Sequence, residues 1–161
     1  MSFIFSTFAA KIGEKSPKNS VIMVFNRNLY LQKLISADGN GMIKIITGIR
    51  RCGKSFLLFE LFKNYLLEQG IQADHIIQIN LEDRRNKRLR NPDMLLECID
   101  NQLKDHQKYY ILLDEIQLVS EFEDVLNSYL HISNAEVYVT GSNARFLSKD
   151  VITEFRGRGW E

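Results

Sequence analysis

The sequence has few cysteines and no long hydrophobic run. Cys52 and Cys98 are widely separated in an α/β pattern, which argues against a disulfide framework and fits a reducing cytosol. No stretch approaches the roughly 20 apolar residues of a membrane span. The apolar segment Phe3–Phe5 lacks the preceding basic residue that is typical of a secretory signal. We therefore expect a cytoplasmic protein with no membrane partner.

The chain also lacks an excess of charge of either sign. Its 21 Lys and Arg residues face 20 Asp and Glu residues, which gives a formal net charge of +1. No global field would therefore attract nucleic acid or an anionic membrane. The three histidines, His75, His106 and His131, are too far apart to match a metal-ligand pattern. Hydrophobic residues make up 45% of the 161 residues, which suits one domain with a sizeable core.

The most informative stretch is GIRRCGKS, residues 48–55. It has the form G-x-x-x-x-G-K-S, follows a strand-like apolar run and precedes a helix-like run, which is the context of a phosphate-binding loop. Gly48 would allow a sharp turn after the strand, and Gly53 would let the backbone approach a phosphate. The competing interpretation, a glycine-containing turn with a capping serine, leaves the complete motif unexplained.

This loop predicts a role for each residue. The amides from Arg51 to Phe56 should face an anion at the helix N-terminus. Lys54 should bind the β- and γ-phosphates, and the Ser55 hydroxyl should bind Mg²⁺. The predicted cofactor-binding residues are Gly48, Arg51, Cys52, Gly53, Lys54, Ser55 and Phe56.

Strand-like and helix-like patterns alternate along the chain, which predicts a parallel sheet with helices on both faces. The predicted strands occupy residues 42–47, 75–80, 109–113 and 136–140. The predicted helices occupy residues 27–35, 54–69, 91–104 and 121–130, with a single helical turn at 144–147. Residues 1–22 are interpreted as a flexible N-terminal extension, because termini often lack order, and residues 23–161 as the core.

Two acids follow the nearly all-apolar third strand. In an open α/β sheet, ligands bind beyond the carboxyl ends of the strands, which places Asp114 to hold Mg²⁺, through water. Glu115 is the candidate base that orients the attacking water. The alternative is a solvated acidic end of a strand.

The fourth strand and the tail supply further candidates. Asn143, or failing that Ser142, could reach the γ-phosphate, although Gly-Ser-Asn is also a common turn sequence. Arg158, and with less support Arg156, could contact phosphate in trans, or either could lie in an exposed basic turn. The run Arg84–Arg90 holds five basic residues and could contact nucleic-acid phosphates, but a solvated loop is the favoured interpretation.

Five motifs together resemble a prokaryotic family of AAA-type ATPases that carry an N-terminal ATPase core and a C-terminal domain of unknown function. The motifs occupy residues 45–55, 79–83, 113–117, 140–144 and 157–158. The resemblance implies an ASCE-type P-loop fold, which is an α/β three-layer sandwich with a mostly parallel sheet, and ATP as the nucleotide. It also implies a sensor role for Asn143 or Ser142 and an arginine role for Arg158.

Members of that family continue beyond Gly157 and Arg158 into another strand. The resemblance therefore implies a core that is truncated before its last strand. The strand that carries the phosphate loop would then lie at an uncovered edge of the sheet, which is a liability for pairing or aggregation.

The residues and the resemblance together predict an ATP-binding, Mg²⁺-dependent ATPase that couples its nucleotide state to a partner or to the absent domain. A homo-oligomer with arginine supplied in trans is a further expectation. The alternatives are a nucleotide-gated switch with little hydrolysis and a small-molecule kinase, which the Asp114–Glu115 pair disfavours. The predicted catalytic residues are Glu115, Lys54, Asn143 and Arg158.

Overall fold

The computed structural model describes the backbone of residues 2–4 and of residues 28–142, and the side chains of residues 28–141. It contains strands β1 to β5 and helices α1 to α4. The strands are β1 Ser2–Ile4, β2 Lys44–Gly48, β3 Ile76–Asn80, β4 Tyr109–Asp114 and β5 Ala135–Ser142. The helices are α1 over residues 28–36, α2 over Lys54–Glu68 with a π-helical middle at Leu57–Phe62, α3 Pro92–Asp100 and α4 Phe122–Tyr129.

The five strands form one parallel sheet in the order β1-β2-β5-β4-β3. The prediction of an α/β fold with a parallel sheet is confirmed. Strand β5 lies between β2 and β4, so Lys44 is level with Tyr138 on one side, and Leu113 is level with Val139 on the other. The strand that leads into the phosphate loop and the strand that ends in the two acids are therefore separated by β5.

Helices cover both faces of the sheet, because successive side chains of a strand point to opposite faces. One core cluster joins Ile46, Leu112 and Tyr138 to residues of α1 and α2 such as Leu34 and Phe62. A second cluster lies on the other face. It joins side chains of β2 to β5 to apolar residues of α3 and α4, among them Ile45, Ile111, Val139, Leu95 and Leu126. The result is the three-layer sandwich that the family resemblance implied.

The expectation of an uncovered edge beside β2 is wrong for this structure. Strand β1 pairs in parallel with β2, with Phe3 level with Ile46 and Ile4 level with Thr47. Outer strands present unpaired backbone N–H and C=O groups, and the start of the chain satisfies those of β2. Part of the predicted extension therefore joins the core sheet, and the boundary between residues 22 and 23 stays a prediction.

The ends of two helices follow local sequence signals. Gly70 has φ +86° and ends α2 in a Schellman arrangement, in which Gly70 N donates to Leu67 O at 3.0 Å and Ile71 N to Leu66 O at 3.1 Å. Asn91 caps α3 by accepting from Met94 N at 3.1 Å.

Two helix predictions need comment. The helix predicted over 91–104 ends at Asp100, where Gln102 N donates to Ile99 O at 2.8 Å and closes a turn. The helical turn predicted at 144–147 lies outside the described residues. Among the helices of residues 28–142, none is both long enough and apolar enough to cross a bilayer.

Candidate nucleotide-binding site

The loop between β2 and α2 takes an unusual backbone path. Arg51 has φ +66° and Gly53 has φ +93°, so both are left-handed. A non-glycine residue in this region costs about 1–3 kcal/mol and often marks a functional site. The first helical bond of α2 is the one from Leu57 N to Gly53 O at 3.0 Å. Helix geometry therefore leaves the N–H groups of Lys54 and Ser55 available to an anion.

The side chain of Lys54 folds back over this loop. It is buried, with 6% of its surface exposed. Its Nζ donates to Gly48 O at 3.2 Å and to Ile49 O at 3.1 Å, and lies 3.9 Å from Glu115 Oε1. Neutral carbonyl groups therefore hold the ammonium group, with a carboxylate just beyond hydrogen-bond distance.

Ser55 and Asp114 meet although they are 59 residues apart in the sequence. Ser55 Oγ lies 3.0 Å from Asp114 Oδ1 and 2.8 Å from Oδ2. Asp114 is the last residue of β4 and is 1% exposed. A hydroxyl and a carboxylate are oxygen ligands of the kind that Mg²⁺ prefers. The two residues that were predicted to bind the metal are thus adjacent, and their chemistry fits that ion.

Thr140 completes this network and was missed by the sequence analysis. Its hydroxyl donates to Asp114 Oδ1 at 2.5 Å and accepts from Glu115 N at 3.0 Å. Leu113 of β4 is level with Val139 of β5. The next residues of the two strands, Asp114 and Thr140, are therefore level as well. A signal was present, since a hydroxyl residue interrupts the apolar run of β5 just before the glycine of that strand.

Glu115 lies at a backbone position that the sequence did not predict. Its φ is +58°, which turns the chain sharply after β4. Its Oε1 faces Lys54 at 3.9 Å, and its Oε2 accepts a hydrogen bond from Gln117 Nε2. The candidate base is therefore fixed from two sides, and Gln117 is a second residue that the sequence analysis missed.

The remaining candidates divide into those that the structure places and those that it does not. Gly48 ends β2 beside the backbone of Ser142. Cys52 is half-buried in the loop, and Phe56 is 44% exposed at the start of α2. The side chain of Ser142 and all of Asn143, Arg156 and Arg158 lie outside the described residues, so their roles stay predictions.

Two relatives are about one-third identical to this chain over the residues that align. An uncharacterized protein of Haemophilus influenzae is 35% identical over 136 residues, which cover 84% of this chain and 34% of that protein. The uncharacterized protein MJ1544 of Methanocaldococcus jannaschii is 33% identical over 135 residues, which cover 84% of this chain and 28% of that protein. The chain thus spans about a third of the length of these relatives.

Two solved structures share the fold. The structure of C. elegans PCH-2 matches with a TM-score of 0.50 and 16% identity, covering 88% of this chain and 42% of that one. The structure of Drosophila ORC bound to AT-rich DNA and Cdc6 matches with a TM-score of 0.54 and 13% identity, covering 86% and 55%.

The sequence profile of an AAA domain, AAA_14, matches residues 40–161. The matched range includes the phosphate loop, both acids after β4 and all of β5. The buried contacts among these elements and the AAA-type P-loop fold agree with that match. The chain therefore belongs to the AAA domain family.

Proposed function

We propose that this AAA-type module binds ATP together with Mg²⁺ and hydrolyses it. The observation that carries the proposal is the convergence of Lys54, Ser55, Asp114 and Glu115 at the carboxyl edge of the sheet. Two of these side chains come from the start of α2 and two from the end of β4. A structural turn would need neither a buried lysine held over its own loop nor a carboxylate aimed at it.

The phosphate loop would supply the affinity. The N–H groups of Lys54 and Ser55 and the positive end of the helix dipole would attract the phosphates. Lys54 has to exchange the carbonyl groups of Gly48 and Ile49 for phosphate oxygens. That exchange favours the nucleotide, because hydrogen bonds between charged groups are stronger than those to neutral acceptors.

Ser55 and Asp114 would hold Mg²⁺, which when bound neutralises charge on the phosphates. Their oxygens contact each other directly, so Ser55 has to turn its hydroxyl proton away from Asp114 to present a lone pair. Thr140 keeps the Asp114 carboxylate in place during this change, through its 2.5 Å hydrogen bond.

Glu115 would orient the attacking water. The water oxygen forms a bond to the γ-phosphorus, while the bond from that phosphorus to the bridging oxygen breaks and ADP leaves with the electron pair. Glu115 accepts a hydrogen bond from the water, polarises it and takes up its proton as the new bond forms. Its two present contacts, with Lys54 and Gln117, keep the carboxylate at the site.

Calorimetry with Mg-ATP and a phosphate-release assay on the same 161-residue chain test this proposal. Glu115→Gln should bind ATP like the parent while releasing phosphate about 10²- to 10⁴-fold more slowly, which is the range for loss of a general base. The matched control is Glu121→Gln, which removes an exposed carboxylate at another left-handed position, φ +52°. Equal turnover in the two variants would show that Glu115 is not the base.

A nucleotide-gated switch is the second candidate, because Glu115 is already engaged by Gln117 and could be held from catalysis. Binding of ATP without phosphate release by the parent chain would favour this switch. Phosphate release that rises steeply with protein concentration, and that Arg158→Ala abolishes, would instead support an oligomer with the arginine in trans. Coupling to a partner or to a further domain, a cytoplasmic location and contact with nucleic acid belong to the proposal as well.

A further inference from the structure

The sequence Arg84–Arg90 forms a 3₁₀-helical segment in place of the predicted loop, and most of its basic side chains are exposed to solvent, as that prediction had them. Its start is capped by Asp83, whose carboxylate accepts a backbone hydrogen bond at 2.9 Å. Asn86 Nδ2 donates to Asn80 O at 2.8 Å, and Leu89 is buried in the core with 6% of its surface exposed. The segment follows the carboxyl end of β3 and therefore lies on the same edge of the sheet as the phosphate loop.

The five basic side chains of this segment fall into two groups. Arg85 pairs with Asp83 at 2.6 Å, which lowers the pKa of that carboxyl to about 2. Arg90 is half-buried and donates to Leu81 O at 2.9 Å. The contacts of these two cations lie within the segment and the residues just before it. The other three, Arg84, Lys87 and Arg88, are exposed and have no ion-pair partner within residues 28–142.

Helical geometry brings two of these three cations into one row. A 3₁₀ helix has three residues per turn and rises about 2 Å per residue, so residues three apart lie in one row, about 6 Å from each other. Arg84 and Lys87 form such a row, and Arg88 lies in the adjacent row, about a third of a turn around the helix axis. We call these three residues the basic ridge. Its density of positive charge contrasts with the net charge of +1 for the whole chain.

We propose that the basic ridge binds the phosphodiester backbone of double-stranded nucleic acid. Arginine has the planar geometry that suits phosphate oxygens, and contacts of this kind position a protein without reading the bases. Protein partners are a poorer fit, since the fully buried core of a protein interface is depleted in charged residues, and Leu89, the one apolar residue of the segment, is buried. Single strands are also a poorer fit, because residues 84–90 hold no aromatic side chain on which bases could stack.

One exposed ion pair joins the phosphate loop to the residues just before the basic ridge. Arg50 of the phosphate loop donates to Glu82 Oε1 at 2.6 Å, and Glu82 precedes the ridge by two residues. The ridge shares no side chain with the set that holds the phosphates, the metal or the water. Its binding can therefore be tested without relying on ATP hydrolysis.

The test is a fluorescence titration of the full chain with a short DNA duplex over a range of salt concentrations. Arg84→Gln with Arg88→Gln should flatten the slope of log K against log salt by about 1.8, since each lost duplex phosphate contact contributes about 0.9. At about 0.1 M salt this corresponds to a loss of affinity of up to about 60-fold. The matched control, Lys33→Gln with Lys104→Gln, removes two exposed charges elsewhere and should change neither quantity.

Three results would overturn the proposal. They are an absence of salt-dependent binding by the parent chain, an equal loss in the two double variants, and tighter binding of polyglutamate than of a duplex of equal charge, which would identify an acidic polypeptide as the partner. A single strand should bind more weakly than the duplex.

Lys54→Ala should still bind the duplex, and the ridge variant should keep the ATPase rate of the parent without DNA. Failure of the ridge proposal and failure of the ATPase proposal are therefore distinguishable.

Discussion

Two buried lysines lie near opposite ends of β2, and their surroundings differ in kind. Lys44 begins the strand, is fully buried and forms an ion pair with Glu136 of β5. Lys54 follows the strand across the phosphate loop, and its nearest oxygens belong to backbone carbonyl groups, with Glu115 farther away at 3.9 Å. A cation in a direct pair with a buried acid cannot leave without stranding that acid as an unpaired buried charge, whereas one held by neutral carbonyls can leave for an arriving anion at a smaller cost.

The surroundings of Lys44 support this contrast. Burial lowers the pKa of Lys44, and the hydrogen bond and charge of Glu136 oppose that effect. Nearby, Asp38 accepts from Lys108 Nζ at 2.9 Å and from Tyr110 Oη at 3.0 Å. We call Lys44, Glu136, Asp38 and Lys108 the basal cluster. It satisfies its own charges, whereas the nucleotide site has donors that an anion can still use.

The largest expected effect comes from breaking the ion pair of the basal cluster. Lys44→Met leaves Glu136 buried without its cation and should lower the free energy of unfolding by about 3 kcal/mol, because an isolated buried charge is costly. Urea denaturation measures this change. The double variant Lys44→Met with Glu136→Leu should recover most of the loss. A single variant as stable as the parent would show that the pair contributes nothing.

The matched substitution at the other lysine should have the opposite outcome. Lys54→Met removes two hydrogen bonds to neutral carbonyls and a 3.9 Å contact with Glu115, and should cost no more than about 1–3 kcal/mol of stability, at about 0.5–1.5 kcal/mol per hydrogen bond. Its affinity for Mg-ATP should fall about 100-fold, which is about 2.7 kcal/mol of binding free energy. Calorimetry and urea denaturation on the same preparation separate the two quantities. A large loss of stability would place Lys54 with the structural lysine and end the contrast.

Thr140 tests whether the nucleotide site is also organised by its neighbouring strand. Thr140→Val keeps the shape but removes the donor to Asp114 and the acceptor of Glu115 N–H. The expected loss of stability is about 1.5–3 kcal/mol, the range for a hydrogen bond to a charged group. The Mg²⁺ concentration needed for half-maximal ATP binding should also rise. Thr140→Ser retains the hydroxyl and should behave like the parent on both measures.

The sequence was sufficient for features that depend on neighbouring residues. The phosphate loop needs a strand, two glycines and a helix within a short stretch, and the acids after β4 need only an apolar run before them.

Features that depend on contacts between distant segments could not be predicted in this way. Thr140 meets Asp114 only because β4 and β5 pair in one particular register. The pair of Lys44 with Glu136 joins residues 92 apart, and β1 covers an edge through backbone bonds that carry no side-chain signal. The left-handed position of Glu115 likewise has no marker, since glutamate rarely takes that conformation.

The smallest effect is expected at His75, just before β3, where the partner acids are exposed and the basal cluster is not involved. Burial lowers the pKa of His75, but its hydrogen bonds to Asp105 and Asp74 outweigh this, so the pKa is raised overall. A raised pKa stabilises the fold fully below the unfolded value of about 6.5, and this contribution is lost as the pH rises through the folded value. His75→Gln should therefore lose more stability at pH 5.5 than at pH 8. Lys44→Met, which leaves His75 and its two acids unchanged, is the comparison at both pH values. Equal losses at the two pH values for His75→Gln would show that its acids contribute nothing through charge.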